Sequence, residues 1–519
     1  MFKKYLNNRF ITLFLIPFII GSLTTLSFQP FNFTIINLIV IPIFFYLIVY
    51  VNKKSKVTYR KRAYKINLFL LGLSFGFGFY LSGISWIVNS LTFDENFQIL
   101  IPFALILIPS CLSLFMAFTI LFVGPYLRLD FPSLILFSGS LALSDYLRAK
   151  ILTGFPWNLW AYSTSSTNEL LQILNIIGLY SYNLLVITVF VLPVIIILKI
   201  NRNIKMLSLV LYIFVILSVY IFGNYTINAN KDFLNKIDKK IFVKIISPNF
   251  DLKYGLTEEQ IEEKLKKLIR YSDPNKDKRT LFIWPEGVFS GYSYSEVLVF
   301  KDLIFKNFST KHSIILGVNR KKPNSNNFFN SMLVVDNNFK IIQSYNKEKL
   351  VPFGEFLPFE DMLKKFGFKK ITEGHGSFLK GYNNNNLLIE KLNILPLICY
   401  EVIFTDLIQK SSKETNLIIN ISEDGWFGDT IGPDQHFYKS IFRAIENNTF
   451  FLRSANKGVS AIIDNKGNIV KQLNRNEAGS IEFEVPLVSS NKIRNDLIFL
   501  ILLITYFLIF FIYNKKNEK

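Results

Sequence analysis

Residues 345–355 read Tyr345-Asn346-Lys347-Glu348-Lys349-Leu350-Val351-Pro352-Phe353-Gly354-Glu355, with a lysine and a glutamate on either side of Pro/Gly punctuation. Two other strings share this character: Trp284-Pro285-Glu286 upstream and Ile398-Cys399-Tyr400-Glu401 downstream. Each sets a reactive side chain at a strand end or beside a turn residue, where layered α/β domains carry their sites. Strand-like runs surround them at Ile241–Ile246, Thr280–Trp284, Ser313–Val318, Ser331–Val335, Leu395–Cys399 and Leu417–Ile421. An amphipathic helix is predicted over Thr257–Arg270, opened by a Thr257/Gln260 capping box, with Ile261, Leu265, Leu268 and Ile269 on one face. A second helix near Gln435–Asn447 precedes a hairpin turned at Asp464-Asn465-Lys466-Gly467. The alternation points to an α/β layered domain, a class that contains many folds.

Outside this region the chain is of another kind. Half of its 519 residues are hydrophobic and 53 are Phe, too apolar for a disordered or purely soluble protein. Eight apolar stretches approach the roughly 20 helical residues that cross a bilayer. They fall at about 10–28, 34–51, 67–90, 98–124, 131–147, 172–198, 206–222 and 497–513. The first reads as a bundle member rather than a signal peptide, because Pro17 and Gln29-Pro30 lead into another apolar run without a small-x-small cleavage site. The expected organisation is a helical bundle over 1–223, a soluble α/β domain over 224–495, and a last helix with a short tail over 496–519.

The net charge of +20 divides unevenly. Residues 224–495 hold 39 basic and 31 acidic side chains, leaving 19 against 7 beside the apolar segments, where topology accounts for them. No nucleic-acid signature accompanies the charge, so nucleic acid is not an expected partner. If all eight stretches span, one side collects Lys3, Lys4, Arg9, Lys53, Lys54, Lys56, Arg60, Lys61, Arg62, Lys65, Arg128, Lys199, Arg202, Lys205, Lys515, Lys516 and Lys519. The short connections opposite hold only Arg148 and Lys150. The positive-inside rule then puts both termini in the cytoplasm and 224–495 outside, the periplasmic face in a bacterium. Asp145, close to Arg148, is read at a membrane edge, as a functional group or as a snorkelling one. Gly72, Gly76, Gly78 and Gly83 read as close-packing positions between helices.

Two cysteines, Cys111 and Cys399, exclude a disulfide framework, and His312, His375 and His436 are too dispersed for a zinc motif, so no metal or cofactor is expected. A Glu, a Lys and a Cys are the parts of thiol nucleophilic catalysis without histidine. Cys399 needs a base and cationic surroundings. Glu286 would be the base if burial raises its affinity for a proton. Lys347 would supply positive charge where an oxyanion develops. Each has an ordinary alternative: Cys399 as a buried small hydrophobe, Glu286 as a carboxylate at a helix N-terminus, Lys347 as one charge in a solvated run. The three contexts occurring in chain order within one domain favour the catalytic reading.

This arrangement resembles the Glu-Lys-Cys triad of the nitrilase superfamily, and with eight spans it resembles the apolipoprotein N-acyltransferase family. The resemblance rests on residues 345–355, Cys399-Tyr400-Glu401, Asn420-Ile421-Ser422-x-Asp424-Gly425-Trp426-Phe427, Arg453-x-x-Asn456-x-Gly458-x-Ser460 and the Gly154-Phe155-Pro156-Trp157 loop. It implies a nitrilase-like αββα sandwich on an eight-helix membrane bundle. It also implies Glu286 as general base, Lys347 as triad lysine and Cys399 as nucleophile, with Glu355 an auxiliary carboxylate and Tyr400 and Glu401 shaping the pocket. Trp426 would lie on a mobile loop near a lipid entrance. Asn249, in Ser247-Pro248-Asn249 where the family often has Gln-Pro/Gly-Asn, and Tyr254, where Trp is common, join Trp426 and Trp157 as substrate-contact candidates. The implied activity is ping-pong transfer of an acyl chain from a membrane phospholipid to the α-amino group of a diacylglyceryl-cysteine apolipoprotein, by a monomer in the bacterial inner membrane. The rival readings are a membrane-tethered amidase using water, and a transporter or scaffold with an inactive outer domain.

Overall fold

The computed structural model describes the chain apart from residues 1–7, 59–62, 366–369, 371–375, 383–385, 411, 413, 491–494 and 518–519. His375 and the basic residues Lys3, Lys4, Arg60, Lys61, Arg62 and Lys519 lie outside the described residues. The chain divides into two compact units, Met1–Val88 with Gln98–Ile227 and Ile493–Lys519, and Asn89–Phe97 with Asn228–Lys492.

The first unit is helical. Among the described residues six helices are long and apolar enough to cross a membrane: Thr34–Ser55, Lys65–Phe93, Ile101–Tyr126, Leu174–Ile197, Arg202–Asn235 and Asp496–Lys515. Ile11–Ser27 is apolar but shorter. The helix Phe131–Lys150 has the length but is less apolar, with Asp145 and Arg148 in its last turns. Those two side chains do not snorkel as one sequence reading allowed. They form a buried ion pair at 2.9 Å, and Asn183 Nδ2 donates to the second Asp145 oxygen at 2.9 Å. Arg148 also donates to the carbonyls of Phe155 and Asn158, so the charge that cannot reach water is spent on fixing the 155–158 loop. Trp157, only 1% exposed, packs in this loop between Trp86 and Phe155. The glycines do pack helices: a Cβ on Gly76 would lie 2.8 Å from Ser113 Cβ, and one on Gly78 would lie 2.2 Å from the Phe18 carbonyl.

Among the described residues the second unit is built on twelve strands: β1 Lys240–Ser247, β2 Thr280–Ile283, β3 His312–Lys321, β4 Phe328–Val335, β5 Ile341–Asn346, β6 Leu387–Ile389, β7 Leu392–Ile398, β8 Leu417–Glu423, β9 Phe450–Asn456, β10 Ser460–Ile463, β11 Ile469–Leu473 and β12 Gly479–Pro486. They form two six-stranded sheets, ordered β12-β1-β2-β3-β4-β5 and β11-β10-β9-β8-β7-β6. Each has a parallel centre, β1-β2-β3 or β7-β8-β9, flanked by antiparallel strands. Central strands β2 and β8 are buried throughout, which is why they read as continuous apolar runs rather than alternating ones. The sheets meet face to face, and Ser454 in β9 donates to the Ile246 carbonyl in β1 at 2.8 Å.

Helices cover both layers. In Glu258–Ser272 the Thr257/Gln260 capping box is formed, and Ile261, Leu265, Leu268 and Ile269 are buried against Phe282, Trp284, Leu316 and Leu333 of the first sheet. Each such side chain contributes about 1.5–3 kcal/mol of burial. The helix Gly432–Asn447 packs on β9 and β10. The layering is therefore αββα.

Candidate active site

Glu286 follows β2, Lys347 follows β5, and Cys399 follows β7, so the first sheet supplies the carboxylate and ammonium and the second supplies the thiol. Glycine at 317 lets the Glu286 turn lie against β3, because a Cβ there would approach Glu286 Cα to 2.8 Å. Cys399 opens a short helical turn, Cys399–Ile403, with φ +48, the left-handed region that a cysteine adopts only when its surroundings enforce it.

The structure brings Glu286, Lys347 and Glu355 together. Lys347 Nζ lies 2.9 Å from Glu355 Oε1 and 3.4 Å from Glu286 Oε1. Asn330, which the sequence reading did not single out, donates its amide to both of these oxygens at 2.7 Å. The remaining Glu286 oxygen accepts from the Glu423 backbone at 3.1 Å, and that of Glu355 from Val351 N at 2.9 Å. Lys347 is 1% exposed, Glu286 8% and Cys399 9%, so the group is nearly closed to water.

Burial alone would pull the Lys347 ammonium down, but the Glu286 and Glu355 carboxylates outweigh it and hold its pKa above the ordinary lysine value. It is a fixed cation. For Cys399, burial pushes the thiol up and the Glu286 charge adds to that, while Lys347 only partly opposes them. The resting sulfur is thus a thiol, and a nucleophile arises only as the proton is removed.

Glu401, expected from the resemblance to shape the pocket beside the thiol, braces the backbone around it. It is fully buried, and its carboxylate accepts from Tyr345 Oη (2.9 Å), Glu348 N (2.7 Å), Lys349 N (3.0 Å) and Ile398 N (2.8 Å). It ties the Lys347 loop to the backbone just before Cys399. Tyr400 is 9% exposed, its ring edge-on to Phe404. The Trp426 ring lies 6.3 Å from Tyr254 and 5.1 Å from Phe93, and Asn89 donates to the Trp426 carbonyl at 3.1 Å. Asn249 is turned to the Asn476 carbonyl at 2.7 Å. Trp157 belongs to the helical unit.

Behind Cys399 lies a second polar cluster. Arg453 donates to both Asp424 oxygens at 3.0 and 2.7 Å, and its terminal nitrogen is 3.0 Å from His436 Nδ1. His436 Nε2 stands 3.2 Å from the Cys399 carbonyl. Despite burial, the Arg453 guanidinium holds the Asp424 carboxyl well below the usual carboxylate range. Asp424 and Arg453 sit in strings quoted above for resemblance alone, and nothing in their spacing revealed a pair. His312 has an unrelated structural task, with ring nitrogens engaged by Ser309 N and the Asn275 carbonyl. Among the described residues no three His, Cys, Asp or Glu side chains are grouped so as to hold a metal ion.

Residues 255–495, which hold the two facing sheets, the carboxylate-flanked lysine and the cysteine on its strained turn, match the carbon-nitrogen hydrolase family model. Residues 20–192 match the apolipoprotein N-acyltransferase N-terminal domain. The apolipoprotein N-acyltransferase of Rickettsia prowazekii is 33% identical over 425 residues, 80% of this chain and 82% of that protein. The Rhodopseudomonas palustris enzyme of the same name is 29% identical over 487 residues, 91% and 89% of the two chains. A solved CN-hydrolase superfamily protein from Xanthomonas campestris is 15% identical, covers 48% of this chain and 91% of its own, and has a TM-score of 0.36. The chain belongs to the apolipoprotein N-acyltransferase family.

Proposed function

We propose that this membrane protein N-acylates apolipoproteins by a ping-pong route in which Cys399 carries the acyl chain as a thioester. The observation that carries the reading is the Lys347 ammonium held between Glu286 and Glu355 in the same nearly dry site as a strand-end cysteine. In the first half-reaction Glu286 takes the thiol proton as sulfur attacks an ester carbonyl of a membrane phospholipid. Lys347 stabilises the oxyanion. The proton on Glu286 then goes to the departing lysophospholipid alkoxide. In the second half-reaction the α-amino group of a diacylglyceryl-cysteine attacks the thioester, Glu286 accepts its proton and passes it to the departing Cys399 sulfur, and an amide replaces the thioester while the thiol is restored. Glu355 and Glu401 act on geometry, the first by sharing Lys347 and the second by bracing its loop.

The remaining parts of the proposal follow from sequence. Residues 1–223 and 496–519 supply eight spans, counting Ile11–Ser27 and Phe131–Lys150 with the six longer apolar helices, and 224–495 is the catalytic domain. Both termini are cytoplasmic and the catalytic domain periplasmic in a bacterial inner membrane. Tyr254 and Trp426 contact substrate in the catalytic domain, Asn249 orders the loop before Tyr254, and the enzyme works as a monomer. Anchoring suits the chemistry, since lifting an acyl chain from lipid costs about 0.8 kcal/mol per CH₂.

The test is incubation with acyl-labelled phospholipid, acid trapping of a thioester, and addition of a diacylated cysteine peptide. Label on the wild-type protein, absent from Cys399→Ala and chased onto the peptide amine, is expected. Label persisting in the variant removes the proposal, release of free fatty acid without transfer replaces it with the amidase reading, and no labelling favours a non-catalytic role.

A further inference from the structure

We infer that His436 is a positioning residue for the nucleophile, its Nε2–H holding the Cys399 carbonyl and thereby the left-handed backbone from which the sulfur projects. The inference rests on the proposal that Cys399 is the acyl carrier.

A carbonyl oxygen only accepts, so the 3.2 Å contact between His436 Nε2 and Cys399 O requires the hydrogen on Nε2. Nδ1 then presents a lone pair, and a matching donor is at hand in the Arg453 terminal nitrogen at 3.0 Å. Asp424 Oδ1, also 3.0 Å from Nδ1, accepts from Ser422 Oγ at 2.7 Å, and the second hydrogen of the same Arg453 nitrogen goes to Asp424 Oδ2 at 2.7 Å, so the carboxylate is met without a histidine proton. Burial pulls the imidazole down to about 4, the Asp424 charge opposing this and Arg453 reinforcing it, which keeps the ring neutral. The ring is fully buried and lies against Phe427. Arg453 is itself fixed by Asn420 and Asp424.

The consequence falls on Cys399. At φ +48 the residue occupies a conformation that β-substituted side chains disfavour. Two contacts restrain it from opposite sides, Glu401 through Ile398 N before the cysteine and His436 through the Cys399 carbonyl after it. Histidine here is neither base nor acid. It sets the direction of the thiol.

Gln and Asn substitutions separate this role from packing, since a Gln amide nitrogen falls near the Nε2 position and an Asn amide nitrogen near Nδ1. Full-length protein would be compared as wild type, His436→Gln, His436→Asn and His436→Phe. The readouts are iodoacetamide alkylation of the Cys399 peptide by mass spectrometry, single-turnover thioester formation from labelled phospholipid, and Tm. For Gln, alkylation and acylation within about threefold of wild type are expected, and for Asn and Phe losses of about tenfold or more, the scale of one positioning hydrogen bond. Asn matching Gln, or Phe matching wild type, overturns the inference, and if Phe fails to fold the Gln–Asn pair still decides. A wild-type protein that alkylates in this pattern but never forms a thioester refutes the acyl-carrier proposal instead.

Discussion

Replacing Asn330 by Leu removes the neutral half of the bridge between the two carboxylates while nearly preserving side-chain volume. The amide donates at 2.7 Å to Glu286 Oε1 and at 2.7 Å to Glu355 Oε1, leaving Lys347 as the sole shared partner in the variant. A hydrogen bond to a charged group is worth about 1.5–3 kcal/mol. Only the bond to Glu286 bears on proton transfer, so the expected cost to acylation is about 1.5–3 kcal/mol, on the order of 10- to 150-fold in rate. With one donor gone, Lys347 is free to sit closer to Glu355, from which Glu286 is further misplaced. The assay is single-turnover thioester formation from labelled phospholipid, with Tm measured alongside. Acylation by Asn330→Leu within twofold of wild type would refute the reasoning, because Glu286 would then need no fixing beyond Lys347.

Cys399 titration should respond to its neighbours with opposite signs: the Glu286 charge raises the thiol pKa and Lys347 lowers it, so the pH midpoint of alkylation should fall in Glu286→Gln and rise in Lys347→Met. Glu423 offers a stability test, since burial pushes its carboxyl up to about 8. Its contribution is full below the unfolded value near 4.5 and is lost as pH rises through about 8, so Tm should decline between pH 5 and 9 more steeply in wild type than in Glu423→Gln. Gly317→Ala forces a Cβ to 2.8 Å from Glu286 Cα, and an overpacking cost of about 1–3 kcal/mol should show as lower Tm with a larger fall in acylation. If acylation is unchanged, the base does not depend on that close approach. Gly458→Ala, whose Cβ would lie 2.0 Å from Asp424 Oδ2, should lower Tm by several degrees, a shift of the order of 1–3 kcal/mol readable by thermal unfolding in detergent.

The parts of the fold that were legible are those whose pattern is local. The capping box at Thr257/Gln260 and the buried face of that helix, the apolar runs that became β1, β2, β3, β7 and β8, and the turn at Asp464–Gly467 all appear where the residues indicate. Strands β5, β6, β9 and β12 were not read. Ile341–Asn346 and Gly479–Pro486 mix buried and exposed polar positions, and Phe450–Asn456 carries an arginine and an asparagine that only the buried partners of Asp424 and Phe250 make tolerable in a core strand. Residues Asn89–Phe97, read as the edge of an apolar stretch, belong with the second unit because Asn89 and Phe93 engage Trp426. In the site, Glu286, Lys347 and Glu355 were each visible beside turn residues. Asn330 was not, because an asparagine within a strand gives no sign of which carboxylates the opposite register will bring to it. Glu401 was seen but its bracing contacts were not, since three of the four donors converging on its carboxylate come from residues 345–349, more than fifty positions upstream.

That Glu286 and Cys399 follow strands of different sheets has a bearing on biosynthesis. A nascent chain arrested on the ribosome after β5 holds Glu286 and Lys347 but no sulfur to activate, and one arrested after β7 holds Cys399 on a strand whose parallel neighbour has not been made. The last strand, β12, pairs with the first, β1, so the layer carrying the carboxylate is sealed only when translation has passed Pro486. The sheet that precedes Glu286 and Lys347 is therefore completed by the last strand of the domain to be made.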